Sequence, residues 1–176
     1  MTQAKCWNPG LCSSATDDWV TDPKVFAYLD SIFQFTLDPC ASHDNHKCER
    51  YFTSAEDGLL QSWAGERVFM NPPYGAAIGD WMRKACLEAR GGALVVCLLP
   101  ARTDTAWWHE YAKQGEVHLV RGRLKFVRGR LKFGTKDSNA PFPSAIVIFY
   151  PRGLLAEYEG SVPEPLPFGG GSVGPL

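Results

Sequence analysis

Residues 93–99, Ala-Leu-Val-Val-Cys-Leu-Leu, form the longest apolar run in the chain, and Pro100 ends it. Apolar residues in unbroken succession, without alternation, describe a strand covered on both faces, and such a strand needs helices above and below its sheet. The flanking sequence offers them. Val25, Phe26, Leu29, Ile32 and Phe33 recur at helical spacing after Asp22-Pro23, and Ile78, Trp81, Met82, Ala85, Leu87 and Ala89 do so before Gly91-Gly92. A third helix is expected over residues 107–113, with Trp107 and Trp108 read as core, and a short one over the polar residues 43–50. Segments 35–37, 51–53, 67–70, 116–120 and 144–150 read as further strands. Strands alternating with helices define an α/β sheet with helices on both faces.

The chain's 176 residues, 45% hydrophobic and 21% charged, suit one folded domain with a real core. That domain is expected over residues 17–150, between a loose arm at 1–16 and a Pro/Gly-rich tail at 151–176 that should be largely unstructured. No apolar run approaches the roughly 18 residues of a membrane helix. The first ten residues lack the basic-then-apolar order of a signal peptide, so a cytoplasmic protein is expected, a monomer or weak dimer. Six cysteines without a CxxC pair read as reduced thiols. The spacing of Cys40, His43, His46 and Cys48 matches no common zinc pattern, and no metal is expected. Eighteen basic residues against 19 acidic ones leave a net charge of −1, which excludes coating nucleic acid through overall basicity but not through a local strip.

In such sheets ligands sit outside the carboxyl ends of the strands. Three polar loops leave expected strand ends: Asp38-Pro39-Cys40-Ala41-Ser42, Asn71-Pro72-Pro73-Tyr74 and Arg102-Thr103-Asp104-Thr105. In the second, a residue before proline is pushed to extended geometry and two prolines in succession make a stiff elbow without free N–H groups. The Asn71 side chain and the Pro72 carbonyl then act as acceptors facing one pocket, with the Tyr74 ring as a wall. Acceptors without competing donors suit an amino group on a planar heterocycle; the alternative is simply a rigid loop with a partly buried tyrosine.

The turn Asn71-Pro72-Pro73-Tyr74 resembles the catalytic motif of S-adenosylmethionine-dependent amino-methyltransferases. Further blocks extend the likeness: Leu37-Asp38-Pro39-Cys40-Ala41-Ser42, Tyr51-Phe52-Thr53 with Asp57-Gly58-Leu59, Trp63, residues 99–105, Gly122-Arg123-Leu124-Lys125-Phe126 and Ala140-Pro141-Phe142-Pro143-Ser144-Ala145. Together, in this order and over roughly residues 17–150, they resemble the phage-encoded DNA adenine (N-6) methyltransferase family of the Dam type. The resemblance implies a single-domain class I, Rossmann-like methyltransferase with a mixed, mostly parallel sheet of about seven strands, acting in a bacterial host's cytoplasm. It implies S-adenosylmethionine as cofactor and double-stranded DNA as partner. Asn71, Pro72, Pro73 and Tyr74 take the catalytic positions. Asp38, with Pro39, Cys40 and Ala41, takes the position holding the methionyl end of the cofactor. Trp19 and Thr21 stand near that end, and Asp57 stands near the adenosine.

The implied chemistry is direct displacement at the sulfonium methyl by an adenine amino group. Asn71 and the Pro72 carbonyl hold its N–H bonds, and the base is flipped from the stack onto Tyr74. Methylation of RNA bases or of a protein glutamine amide uses the same kind of pocket, and a non-catalytic nucleic-acid-binding module is the alternative from another class. No glycine fingerprint for nicotinamide follows the first strand.

Arg121, Arg123, Lys125, Arg128, Arg130, Lys132 and Lys136 are seven of the 18 basic residues, in one stretch without an acid, and form an expected phosphate-binding strip. Arg102 and Thr105 are expected at a strand end beside the pocket, contacting the target strand or the cofactor. Residues 120–126 read Val-Arg-Gly-Arg-Leu-Lys-Phe, and residues 127–133 repeat them identically. An odd repeat in one continuous strand would turn the second copy's side chains to the opposite face. The expectation is therefore a turn or bulge near Phe126-Val127, with one copy forming a strand and the other lengthening the loop before Ala140.

Overall fold

The first helix shows how local chemistry sets an element's bounds. The chain enters through β1 (Trp19–Thr21) and turns into α1 (Pro23–Phe33) at Asp22, whose carboxylate accepts the Lys24 N–H at 2.8 Å. Pro23 occupies the first turn, where an N–H would lack an intrahelical partner anyway. Gln34 ends the helix in left-handed geometry, φ 52°. Then follow β2 (Leu37–Asp38), β3 (Arg50–Tyr51), β4 (Arg67–Met70), α2 (Ile78–Arg90), β5 (Leu94–Pro100), α3 (Ala106–Glu110), β6 (Glu116–Leu119), β7 (Lys125–Arg128), β8 (Ser138–Asn139) and β9 (Ser144–Phe149). A single 3-10 turn, Ala112–Gln114, follows α3. The computed structural model describes residues 19–128 and 138–152, with Val162, Leu166 and Pro167.

Six strands form the main sheet in the order β3-β2-β4-β5-β9-β6. The first four are mutually parallel, whereas β9 runs antiparallel to both its neighbours. All seven residues of β5 are buried, and period-two alternation divides them between two cores. Val95, Cys97 and Leu99 point with Val68 and Met70 of β4 toward α2 and α3; Leu94, Val96 and Leu98 point with Phe69 toward α1. A one-residue slip would exchange the faces completely, so the register is strongly specified.

From β2 the chain moves outward to β3, then returns to the other side of β2 to lay down β4 and β5. The reversal creates a topological switch point at the carboxyl ends of β2 and β4, the place where open sheets of this kind bind ligands. The loops after Asp38 and after Met70 flank it. Because β9 is reversed, with Ser144 paired to Pro100, the loop before β9 arrives at this same edge. There the Ala101 N–H donates to the Pro143 carbonyl at 2.8 Å.

Four expectations change. Among the described residues the main sheet has six strands rather than seven, and β1 pairs with β7 in a separate sheet of order β1-β7-β8. Residues 43–49 form turns and bends leading into β3 at Arg50, not a helix: the Asp38 carboxylate takes the Lys47 N–H, Asn45 Oδ1 takes the Ser42 N–H, and His46 Nδ1 meets the Cys48 carbonyl. Such side-chain bonds compete with a helical ladder. In the duplicated segment the break lies at Gly122, φ 80°, while β7 runs straight across the Phe126-Val127 junction. Pairing to β1 holds that junction extended, so the first copy is strand only at Lys125 and Phe126, and residues 129–133 of the second lie outside the described residues. Finally, Val162 and Leu166 are buried against the α1 face, so the tail contributes to the core at these two residues. The arm at 1–16, most of the tail, and Arg130, Lys132 and Lys136 lie outside the described residues.

Candidate active site

Asn71 follows β4 directly, and its amide is held from β1. Its Nδ2 donates to the Trp19 carbonyl oxygen at 2.6 Å and to Thr21 Oγ1 at 2.9 Å. A carbonyl can only accept, so the end of the amide facing Trp19 is the NH2 group and the flip is fixed by chemistry. The other end, Oδ1, is buried and has no hydrogen-bond partner among the described residues. Leaving a buried acceptor unsatisfied costs roughly 1–3 kcal/mol, so this atom marks where a donor belongs. Pro72 is buried and Pro73 half-buried, which keeps the elbow fixed to the sheet.

Tyr74 is a strut rather than an open wall. Its ring is 3% exposed, its hydroxyl donates to the Leu98 carbonyl at 3.2 Å, and Phe142 stands edge-on to it with centroids 5.4 Å apart. Burial pushes its phenol well above the ordinary range, with Cys40 adding to the rise and Arg102 opposing it. Phe142 also meets Trp19 edge-on at 5.3 Å. Held between Pro141 and Pro143, it ties β1 to the elbow, a role the sequence reading missed although its two prolines signal a stiff loop. Arg102 Nη1 donates to the Tyr74 carbonyl at 3.3 Å, and Thr105 Oγ1 donates to the Arg102 carbonyl at 2.7 Å. Both expected nucleic-acid contacts thus brace the elbow and its neighbouring loop.

Across the switch point, Asp38 ends β2 and is 5% exposed. Its Oδ1 accepts the Cys40 N–H at 3.4 Å and its Oδ2 the Lys47 N–H at 3.0 Å. Burial pushes its carboxyl up to about 6, while those two backbone bonds and the charges of Lys47 and His46 pull it down. A carboxylate offers about four lone-pair sites, so room for a cationic donor remains. Pro39 is buried, while Cys40 and Ala41 are half-buried.

Asp57, at φ 53°, caps its own turn by accepting the Leu59 N–H at 3.1 Å. Next to it, a Cβ on Gly58 would overlap the Pro39 carbonyl oxygen and stand 3.2 Å from Trp81. Only glycine lets these two loops touch, another requirement the sequence reading passed over.

Arg121, Arg123 and Lys125 are exposed, while Val120 before them and Leu124 among them are buried. Arg128 lies on β7 opposite Trp19, so the basic strand is hydrogen-bonded to the strand that holds Asn71. His43 Nδ1 meets the Tyr51 hydroxyl at 3.0 Å, and the His46 ring stacks on Tyr51 at 4.2 Å. Burial pushes the Cys48 thiol up to about 12. Among the described residues no three His, Cys, Asp or Glu side chains gather as for a metal, and no helix is long and apolar enough to cross a membrane.

An amide oxygen without a partner among the described residues and a buried carboxylate thus flank the switch point of a mostly parallel sheet, where proteins of this class bind their ligands, and the strand that holds the amide pairs with a basic one. The DNA N-6-adenine-methyltransferase (Dam) family matches residues 10–159, and the chain belongs to that family. It is similar to the DNA N-6-adenine-methyltransferase of Haemophilus phage HP1, with 28% identity over 152 residues, 84% of this chain and 87% of that protein. It is also similar to the DNA N-6-adenine-methyltransferase of Escherichia phage T1, with 34% identity over 107 residues, 59% of this chain. That stretch spans 44% of the phage T1 protein, under half of its length.

Proposed function

We propose that this chain transfers a methyl group from S-adenosylmethionine to the exocyclic amino group of an adenine flipped out of double-stranded DNA. The observation carrying this reading is Asn71 Oδ1, buried without a partner among the described residues while the NH2 of the same amide is tied down.

The residues present fit the cofactor. Asp38 is a buried carboxylate at the switch point with acceptor capacity left, suited to the ammonium of a methionyl group, and the Pro39-Cys40-Ala41 turn beside it is small-sided. Asp57, whose carboxylate caps the adjoining turn, stands on the adenosine side. When bound, S-adenosylmethionine supplies an electrophilic methyl group on a sulfonium sulfur.

The chain's own residues prepare the amine. Its lone pair is delocalised into the purine ring, which makes it a poor nucleophile. Asn71 Oδ1 and the Pro72 carbonyl accept its two N–H bonds and favour a more tetrahedral nitrogen, whose lone pair is then localised. The same acceptors stabilise the positive charge that grows on that nitrogen, and they are in place before it forms. Arg102, on the Tyr74 carbonyl, and Tyr74, on the Leu98 carbonyl, hold the elbow against the sheet so that these acceptors do not drift. Arg121, Arg123, Lys125 and Arg128 provide phosphate contacts that position the duplex without reading its sequence.

The test is incubation with labelled S-adenosylmethionine and, separately, DNA, RNA and protein, followed by sequencing of methylated DNA. Label in N6-methyladenine of DNA is expected; transfer only to RNA or to a glutamine amide would overturn the reading. The Asn71→Ala variant should lose at least about a thousandfold in turnover while retaining near-normal cofactor affinity by calorimetry.

A further inference from the structure

A terminal amide swings readily about its last torsion, and its two ends are nearly equal in size but opposite in hydrogen-bond sense. An asparagine that must offer oxygen to a substrate therefore needs something to hold its nitrogen. In this protein the holder is the three-residue strand β1. The Trp19 carbonyl and the Thr21 hydroxyl converge on Nδ2 at 2.6 and 2.9 Å, and Thr21 is 2% exposed, so little water competes for the bond.

We propose that Thr21 is a positioning residue for methyl transfer, acting through Asn71 rather than on the cofactor. The proposal rests on the reading of Asn71 given above. The two acceptors divide the task. The Trp19 carbonyl decides which end of the amide faces β1, because an oxygen turned toward it would set acceptor against acceptor at hydrogen-bond distance. The Thr21 hydroxyl accepts from the same nitrogen and removes the swing that one tether alone permits. With both bonds made, Oδ1 is left as the amide's free acceptor, aimed by β1. The aromatic contact of Trp19 with Phe142, itself against Tyr74, holds β1 at its distance from the elbow. Thr21 is the half of this device that a side-chain substitution can remove.

The experiment compares Thr21→Val, which keeps the shape and deletes the acceptor, with Thr21→Ser, which keeps the hydroxyl. At saturating DNA and cofactor, Thr21→Val should lower kcat about tenfold with both KM values and the cofactor Kd within twofold of the parent; Thr21→Ser should restore kcat to within about threefold. Unchanged kcat in Thr21→Val overturns the proposal. So does a loss that appears chiefly in cofactor Kd, or a Thr21→Ser variant as slow as Thr21→Val. A measurement independent of turnover accompanies it: the Asn71 side-chain NH2 protons, followed by NMR, should exchange slowly in the parent and in Thr21→Ser and faster in Thr21→Val. Equal exchange in all three overturns the proposal. If the parent protein methylates no DNA adenine, the functional reading fails on that result, and the amide exchange still judges the positioning.

Discussion

Replacing Asn71 by aspartate changes one atom type, yet the Trp19 carbonyl turns it into a severe substitution. A carboxylate oxygen would stand where Nδ2 now donates at 2.6 Å, acceptor against acceptor in a buried place. The expected outcome is a kcat at least a hundredfold below the parent at pH 8. It should recover partly toward pH 5.5 as the carboxyl takes up a proton and can donate; a pH profile of kcat at saturating cofactor checks this. Asp38 yields the opposite dependence. With its carboxyl raised to about 6, it must lose a proton before it can hold a cation. Cofactor affinity should therefore fall up to tenfold per pH unit below about 6, whereas Asp38→Asn should bind weakly at every pH, as calorimetry across pH 5–8 would show. The sign for folding is reversed. A carboxyl harder to ionise in the fold than in the open chain lowers stability as pH rises from about 4 to 6, by on the order of 3 kcal/mol for this group. Asn71 was legible in the sequence because the two prolines make its surroundings local. Which end of its amide faces the ligand was not, because the deciding atoms lie some fifty residues upstream.

Where an element buries a continuous apolar face, the sequence announced it within a residue or two: β4 spans the expected residues 67–70, α2 runs one residue further at its end, and β5 is shifted by one residue at both boundaries. The elements it did not announce are those made by distant pairing. The three residues of β1 have no periodicity of their own and become a strand because β7, about a hundred positions later, lies beside them. Residues 43–50 lost their expected helix to the Asp38 carboxylate, a bond between an element's end and a loop nine residues on. Packing between loops is equally hidden, and Gly58 is the sharpest case. Gly58→Ala should force the Pro39 turn away, lowering stability by about 1–3 kcal/mol. A thermal melt of the variant should show a transition several degrees lower, accompanied by weakened cofactor binding.

At the scale of the molecule, a net charge of −1 leaves the proposed phosphate contacts to one local basic stretch, with Arg121 and Arg123 exposed just before β7 and Lys125 at its start. Arg121→Ala, Arg123→Ala and Lys125→Ala combined should reduce the slope of log affinity against log salt by up to about 2.7. Turnover at saturating DNA should stay within a few-fold; binding titrations at several salt concentrations decide the slope, and an unchanged one would place the duplex elsewhere. The strip itself was plain from composition, but its attachment to the amide-holding strand was not. That attachment fixes a length. Since β1 bonds Asn71 and also pairs with β7, the proposed anchor points for base and backbone ride on one ruler, and the reach proposed for the protein is a set span along the duplex.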